Sequence, residues 1–249
     1  MKKRTFRFVA WLSETIAPAE CKCMNCGREV FDGLGFCPDC KQSVEYNNGK
    51  TCKRCGVGID GDEDYCGNCA FDKMYFERAY SVFDYEGAVR DAILRFKFNN
   101  CGNFARIFAK YLAFAVKQYE IDFDLVAYTP MTKKGQRKRG YNQSELLAEY
   151  FCAILGCEEK CIEGIAKIKE TKPQEMLRKA ERKTNLLDAY RCIGDVAGKR
   201  VLVIDDIKTT GATLNECAKV LKRAGAASVV GLTVASRREN FVYEVEDEG

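Results

Sequence analysis

Four Cys-x-x-Cys pairs occupy one short stretch of this chain and are laid out twice in the same order. Cys23, Cys26, Cys37 and Cys40 return 29 residues later as Cys52, Cys55, Cys66 and Cys69, each copy reading Cys-x2-Cys-x10-Cys-x2-Cys. The repeat extends past sulfur: Gly27 matches Gly56, and an aromatic residue, Phe36 or Tyr65, precedes the third cysteine. A Cys-x-x-Cys turn presents two thiolates on one side, and two such turns close a tetrahedron around zinc. Glycine after the second cysteine accepts the positive φ that such a turn often needs. Disulfides are disfavoured by an odd count of fifteen cysteines and by the reducing compartment argued below. A redox Cys-x-x-Cys would occur once beside a βαβ pattern, not four times in register. The expectation is two structural zinc ions, each held by four cysteines. Duplication of a self-sufficient unit favours one ion per copy; a cross-braced arrangement, with alternate pairs sharing an ion, stays open. Four protein ligands leave no position for water or substrate, so these ions would hold the fold and do no chemistry.

The rest of the composition narrows the chemistry. Histidine is absent from all 249 residues, which removes imidazole bases and imidazole metal ligands. No apolar run approaches the ~18 residues of a spanning helix, so no membrane role is expected. The first twenty residues mimic a signal peptide, with basic MKKRTFR and the Ala17-Pro18-Ala19 triplet, but the apolar stretch FVAWL is too short for one. Phe8, Trp11, Leu12, Thr15 and Ile16 instead fit one face of a short amphipathic helix, and a cytoplasmic location is expected. Cys21, Cys101, Cys152, Cys157, Cys161, Cys192 and Cys217 lack ligand spacing; Cys217 falls on an apolar helical face and reads as core.

Three segments are therefore expected: 1–20, a double zinc ribbon over 21–71, and an α/β domain over 72–249. Within the last, Val89, Ala92, Ile93 and Phe96 follow helical spacing, as do Phe104, Ile107, Phe108, Tyr111 and Ala115. Residues 124–130 read as a buried strand ending at Pro130. Asn142 followed by Glu145 resembles a capping box ahead of a helix carrying Leu147, Tyr150, Phe151 and Ile154. The sharpest feature is VLVIDDIKTTGAT (201–213): a buried strand, two acids at its end, then a Thr/Gly loop from Lys208 opening a helix with Leu214, Cys217, Ala218 and Leu221 on one face. Residues 227–235 supply another strand, so the unit is βαβ and the sheet mostly parallel. Ligands of such sheets sit beyond the carboxyl ends of the strands. Backbone amides at a helix start suit a phosphate dianion. Adjacent carboxylates would repel that phosphate, and suit sugar hydroxyls or Mg2+ instead. Together they point to a ribose 5-phosphate. Neither the Gly-x4-Gly-Lys loop nor the Gly-x-Gly-x-x-Gly fingerprint is present.

This segment resembles the phosphoribosyl-pyrophosphate (PRPP) motif of type I phosphoribosyltransferases. The chain as a whole resembles the ComF family, competence-related proteins with a double zinc ribbon. RGYNQSELLA (139–148) and TKPQEMLRKAERKTNLLDAY (171–190) are similar to two further segments of that family. The resemblance implies a type I phosphoribosyltransferase-like α/β fold with a twisted, mostly parallel sheet. It implies that Asp205 and Asp206 receive the ribose hydroxyls, while Lys208, Thr209, Thr210, Gly211, Ala212 and Thr213 hold the 5-phosphate. Lys133, Lys134 and Arg139 fall near the family's pyrophosphate loop, and Gln174 and Arg182 in a loop that closes over the site. Residues 133–139 carry five basic side chains and no acid, and residues 167–183 seven basic and three acidic, which suits a diphosphate with Mg2+. Phosphoribosyl transfer to a nitrogen acceptor is one implied function. The other is a PRPP- or nucleotide-sensing factor that binds single-stranded DNA beside a competence helicase, with self-association as a further expectation. Residues 1–70 hold ten basic and ten acidic residues, which gives the ribbons no net attraction for DNA.

Overall fold

The computed structural model describes residues 21–170, 186 and 188–238. Each cysteine repeat folds into the same knuckle. Cys23 N–H donates to Arg28 C=O and Gly27 N–H to Cys23 C=O; Cys52 donates to Val57 and Gly56 to Cys52 in the same way. Gly27 and Gly56 adopt φ of 78° and 65°, the left-handed conformation read from their position after cysteine. Short helices follow the third cysteines, α1 (Pro38–Lys41) and α2 (Gly67–Phe71).

The α/β part consists of β1 (Arg78–Asp84), α3 (Gly87–Phe98), α4 (Phe104–Gln118), β2 (Leu125–Tyr128), α5 (Lys133–Arg139), α6 (Gln143–Leu155), β3 (Ile165–Lys167), β4 (Tyr190–Cys192), β5 (Arg200–Lys208), α7 (Ala212–Arg223) and β6 (Ser228–Ser236). Its four-stranded sheet runs β1-β6-β5-β2 with every pairing parallel, and β3 and β4 form a separate antiparallel pair. The parallel sheet brings the carboxyl ends of β2, β5 and β6 to one edge.

Two strand boundaries depart from the sequence reading. β5 does not stop at Ile204 but continues through both acids to Lys208, because its partner β6 pairs as far as Lys208 with Ser236. Residues 132–139 are not an open loop: Thr132 caps α5 by accepting from Gly135 N–H. Asn142 caps α6 as expected, accepting from Ser144 N–H, but Glu145 reaches Tyr128 Oη at 3.3 Å, so the reciprocal half of a capping box is replaced. Ile154, assigned to the apolar face, is exposed.

The two ribbons are built into the α/β core, one in each of its hydrophobic clusters. Met24 and Phe36 of the first copy are fully buried with Phe96 and Phe108 of α3 and α4. Val57 and Ile59 of the second are buried with Leu214 and Leu221 of α7. Between them the ribbons cover β1, an edge strand whose free backbone groups would otherwise pair with another chain. Ala79 N–H donates to Arg54 C=O, Asn47 N–H to Val82 C=O, and Asp84 N–H to Glu45 C=O. The contact at Gly56 is close: a Cβ there would lie 2.3 Å from the Ala79 carbonyl. Gly231 serves the other face, since a Cβ on it would meet Leu214 at 2.3 Å, so α7 packs directly on β6.

Candidate functional site

The acids lie at the end of β5, where α7 begins. Asp205 is buried, and three donors converge on one of its oxygens: Thr129 Oγ1 at 2.6 Å, Ser144 Oγ at 2.8 Å and the Asp206 N–H at 2.9 Å all reach Oδ1. Among the described residues no hydrogen bond reaches Oδ2. Burial, then the neighbouring charge of Asp206, pushes the Asp205 carboxyl up to about 6, and the two hydroxyls pull it back. Asp206 uses Oδ1 on the Ile207 N–H at 2.6 Å and Oδ2 on the Lys97 ammonium at 3.3 Å, with both side chains nearly buried. Lys97 comes from the end of α3, more than a hundred residues away, and nothing in its local sequence marks it. Thr129 and Ser144 were likewise missed. The signal for Ser144 was its place in the first turn of a helix whose start had been located.

After Lys208 the chain turns through Thr209 and Thr210 to Gly211, whose φ of 76° stands at the N-cap of α7. The N-cap is a glycine with no side chain to offer, whereas Thr132 and Asn142 cap α5 and α6. Thr210 Oγ1 accepts from the Ala212 N–H at 3.4 Å, a long bond at a helix start whose backbone amides and dipole suit an anion. Ala212 and Thr213 open the first helical turn, with the Thr213 hydroxyl near the Tyr190 phenol. Tyr190 and Lys167, from the β3–β4 pair, lie in electrostatic reach of Asp205. Burial drives the Lys167 ammonium below its ordinary range, as desolvation of a cation does.

Lys208 closes the strand and is 3% exposed, its stem against Gly211 of the loop and its charge in electrostatic reach of Cys55. Lys133 and Lys134 are exposed on α5, while the Arg139 guanidinium stacks 5.0 Å above the Phe98 ring. Gln174 and Arg182 lie outside the described residues. A groove of about 450 Å³ beside the first ribbon, lined by Leu34, Tyr46, Tyr111 and Phe114, is separate from this site.

The cysteines gather as two local sets, Cys23/Cys26/Cys37/Cys40 and Cys52/Cys55/Cys66/Cys69, each with all sulfurs within 4.8 Å of one another. The local arrangement, not the cross-braced one, is thus the one adopted. Zinc–sulfur bonds of about 2.3 Å in a tetrahedron place sulfurs about 3.8 Å apart. Cys26 and Cys37 are 3.7 Å apart, and Cys55 and Cys66 3.6 Å. Four sulfurs this close cannot all ionise without a cation. Cys55, Cys66 and Cys69 pull the Cys52 thiol far below its usual range, while Cys52, Cys55 and Cys66 leave Cys69 far above it. The residues fit two structural zinc ions, the first set partly open to solvent and the second wholly buried.

Comparison with known proteins agrees with both halves. A family model described as a double zinc ribbon domain matches residues 12–70, and one described as a phosphoribosyl transferase domain matches residues 145–243. The DNA utilization protein YhgH of Salmonella typhi is 30% identical over 200 residues, covering 78% of this chain and 87% of its own. Competence protein F of Haemophilus influenzae is 28% identical over 218 residues, 84% of this chain and 93% of its own. Competence protein ComFC of Streptococcus pneumoniae is 26% identical over 226 residues, 84% of this chain and 96% of its own. Among the described residues no helix is long and apolar enough to cross a membrane. With paired four-cysteine sets built into a parallel α/β domain that carries two acids near the end of β5, the chain belongs to the ComF family.

Proposed function

We propose that this chain binds PRPP, or a related ribose 5-phosphate, with Mg2+ at the carboxyl end of β5, residues 21–71 carrying the metal sites and 72–249 the ligand. The observation that carries this reading is an acid pair held by Thr129, Ser144 and Lys97 directly ahead of a glycine-started helix: Asp205 and Asp206, then Thr209 to Gly211. Asp205 Oδ2 and Asp206 accept the ribose hydroxyls; the amides of 210–213 receive the 5-phosphate. Lys97 is placed to neutralise Asp206 in the free protein and to meet diphosphate oxygens when a sugar hydroxyl takes its place. Mg2+ supplies charge neutralisation to the departing diphosphate. In the transfer, the bond from the anomeric carbon to pyrophosphate breaks as a bond to an acceptor nitrogen forms. The residues contribute positioning and charge, which asks no imidazole of the chain. Calorimetry with PRPP and Mg2+ tests the reading. Asp206→Asn is expected to weaken binding roughly 10- to 100-fold, the loss of one charge-assisted hydrogen bond, with zinc content unchanged. Wild type that takes up no PRPP would refute it. Pyrophosphate release with a panel of bases and amines separates turnover from binding alone.

A second reading, single-stranded DNA beside a competence helicase, is favoured by the basic, aromatic rim. Phe98, 54% exposed under Arg139, follows Lys97 directly, and the helix that Arg139 ends also carries the exposed Lys133, Lys134 and Arg137. Stacking on an exposed ring and phosphate contact to nearby cations is how single strands are held. Three relatives carry DNA utilization or competence in their names. Affinity for an oligonucleotide should fall steeply between 50 and 200 mM salt on the order of the ~10-fold or more that several phosphate contacts produce; a flat salt response would exclude it.

A further inference from the structure

The second metal site lies directly behind the loop read as the phosphate cradle, and two side chains join them. Lys208 ends β5 with its stem beneath the loop: a Cβ on Gly211 would lie 3.9 Å from Lys208 Cδ. Its ammonium stands in electrostatic reach of Cys55, in a set whose four sulfurs are buried. A buried ammonium demands an anionic partner, and zinc bound by four thiolates carries a net double negative charge. At the far end of the loop Asn215, in the first turn of α7, accepts from Tyr75 N–H at 2.7 Å and donates to Lys73 C=O at 3.2 Å. Both partners belong to the segment that leaves the second ribbon. The loop 209–214 is thus tied to that ribbon at both ends. The first ribbon is held elsewhere, with Arg95 of α3 donating to the Met24 and Asn25 carbonyls at 2.8 and 2.7 Å.

We infer that the second metal site alone is coupled to the phosphate cradle: Lys208 is the counter-charge of that four-thiolate site and, with Asn215, sets the conformation of residues 209–214. The coupling rests on the proposed ligand only for its consequence, that metal at the second site and phosphate at the loop favour each other. Such linkage is reciprocal. Loss of the second metal, or oxidation of its thiolates, would therefore slacken the loop, making ligand affinity sensitive to zinc supply and thiol oxidants, while the first site would leave it untouched. Lys208 is accordingly a positioning residue.

Pulsed alkylation with N-ethylmaleimide in the presence of a chelator, followed by peptide mapping, reports the two cysteine sets separately on the full zinc-loaded chain. In Lys208→Met the set at Cys52, Cys55, Cys66 and Cys69 should react roughly tenfold faster, a middling coupling factor, with the first set unchanged; Lys208→Arg should restore protection. Should Lys208→Met fail to fold, Asn215→Ala serves, with faster hydrogen exchange at amides 209–214 and selective alkylation of the second set. Wild type with Mg2+ and PRPP should protect the second set only. Equal alkylation of both sets in the variants, or no change in either, overturns the coupling. If the variants behave as expected but PRPP protects neither set, the ligand reading fails and the tie between metal and loop stands. If PRPP protects the second set while both variants match wild type, the coupling fails and the ligand reading stands.

Discussion

Asp205→Asn is expected to melt higher than wild type at pH 7 while losing affinity for a ribose phosphate. The reason lies in one oxygen. Thr129, Ser144 and the Asp206 amide all donate to Asp205 Oδ1, so an asparagine oxygen keeps the three bonds and its NH2 group takes the place of Oδ2. What disappears is a buried negative charge. Burial, followed by the charge of Asp206, raises this carboxyl to about 6 in the folded chain, against about 3.9 unfolded. Between those values the folded state holds a proton that the unfolded state has released. The folded state is therefore favoured below pH ~4, and that advantage is lost as pH rises through ~6. Above it the ionised carboxylate costs on the order of 2–3 kcal/mol, which for a chain of this size corresponds to about 5–10 °C in melting temperature. The variant's advantage should be full at pH 7–8 and shrink as pH falls toward 5. Both proteins keep the same eight metal-binding cysteines, so proton-linked zinc release cancels in the difference. Melting of the two proteins from pH 5 to 8 checks this. Equal melting temperatures at pH 7, or a gap that widens in acid, would mean that the carboxylate is not carried at a cost. An acid kept at a stability cost at the mouth of a parallel sheet is what a ligand-binding role requires.

The sequence made these features legible to different degrees, and the physics of each explains why. Zinc ligation is encoded locally: knuckle spacing, the trailing glycines and the repeat all sit within about fifty residues, and the two sets formed where spacing placed them. The run from Val201 to Thr213 was legible for the same reason, strand, acids, loop and helix being contiguous. The place of Lys208 within the strand was not legible because the end of a strand is set by its neighbour. β6 carries β5 two residues past the acids, and that fixes the side of the sheet on which the lysine falls. Lys97, Thr129 and Ser144 reach the acids through tertiary packing, for which local pattern holds no sign. The covering of β1 by the ribbons was invisible too, since edge protection depends on which backbone groups remain unpaired after the sheet is built. Lys133 and Lys134 read as a loop because a single helical turn needs only one cap, Thr132, and leaves hardly any periodicity behind.

Removal of both zinc ions should unfold the α/β domain along with the ribbons, in one transition. An independent ribbon module would melt alone and leave the sheet intact; here each copy completes a core. Met24, Phe36 and Cys37 are buried among the helices on one side, and Val57, Ile59 and all four cysteines of the second set among those of the other. Without metal, four sulfurs within 4.8 Å of each other have no cation to compensate them, and the knuckles that hold these apolar residues lose their closure. Structural zinc contributes about 10–16 kcal/mol of binding free energy at pH 7 in small zinc-finger peptides. A domain as a whole is stable by only about 5–15 kcal/mol. The two sites together therefore exceed the total, and the sheet has no reserve from which to survive the loss of both. Prolonged chelation should abolish near-ultraviolet dichroism and calorimetric melting together, with β1 exposed as an edge and aggregation following. Readdition of zinc under reducing conditions should restore both signals. A metal-free chain that kept a cooperative melt and its tertiary dichroism would show that the ribbons decorate the domain instead of completing it. That result would also remove the physical basis on which the cradle at Thr209–Gly211 is tied to the second site, because the loop would then hold its shape with nothing behind it.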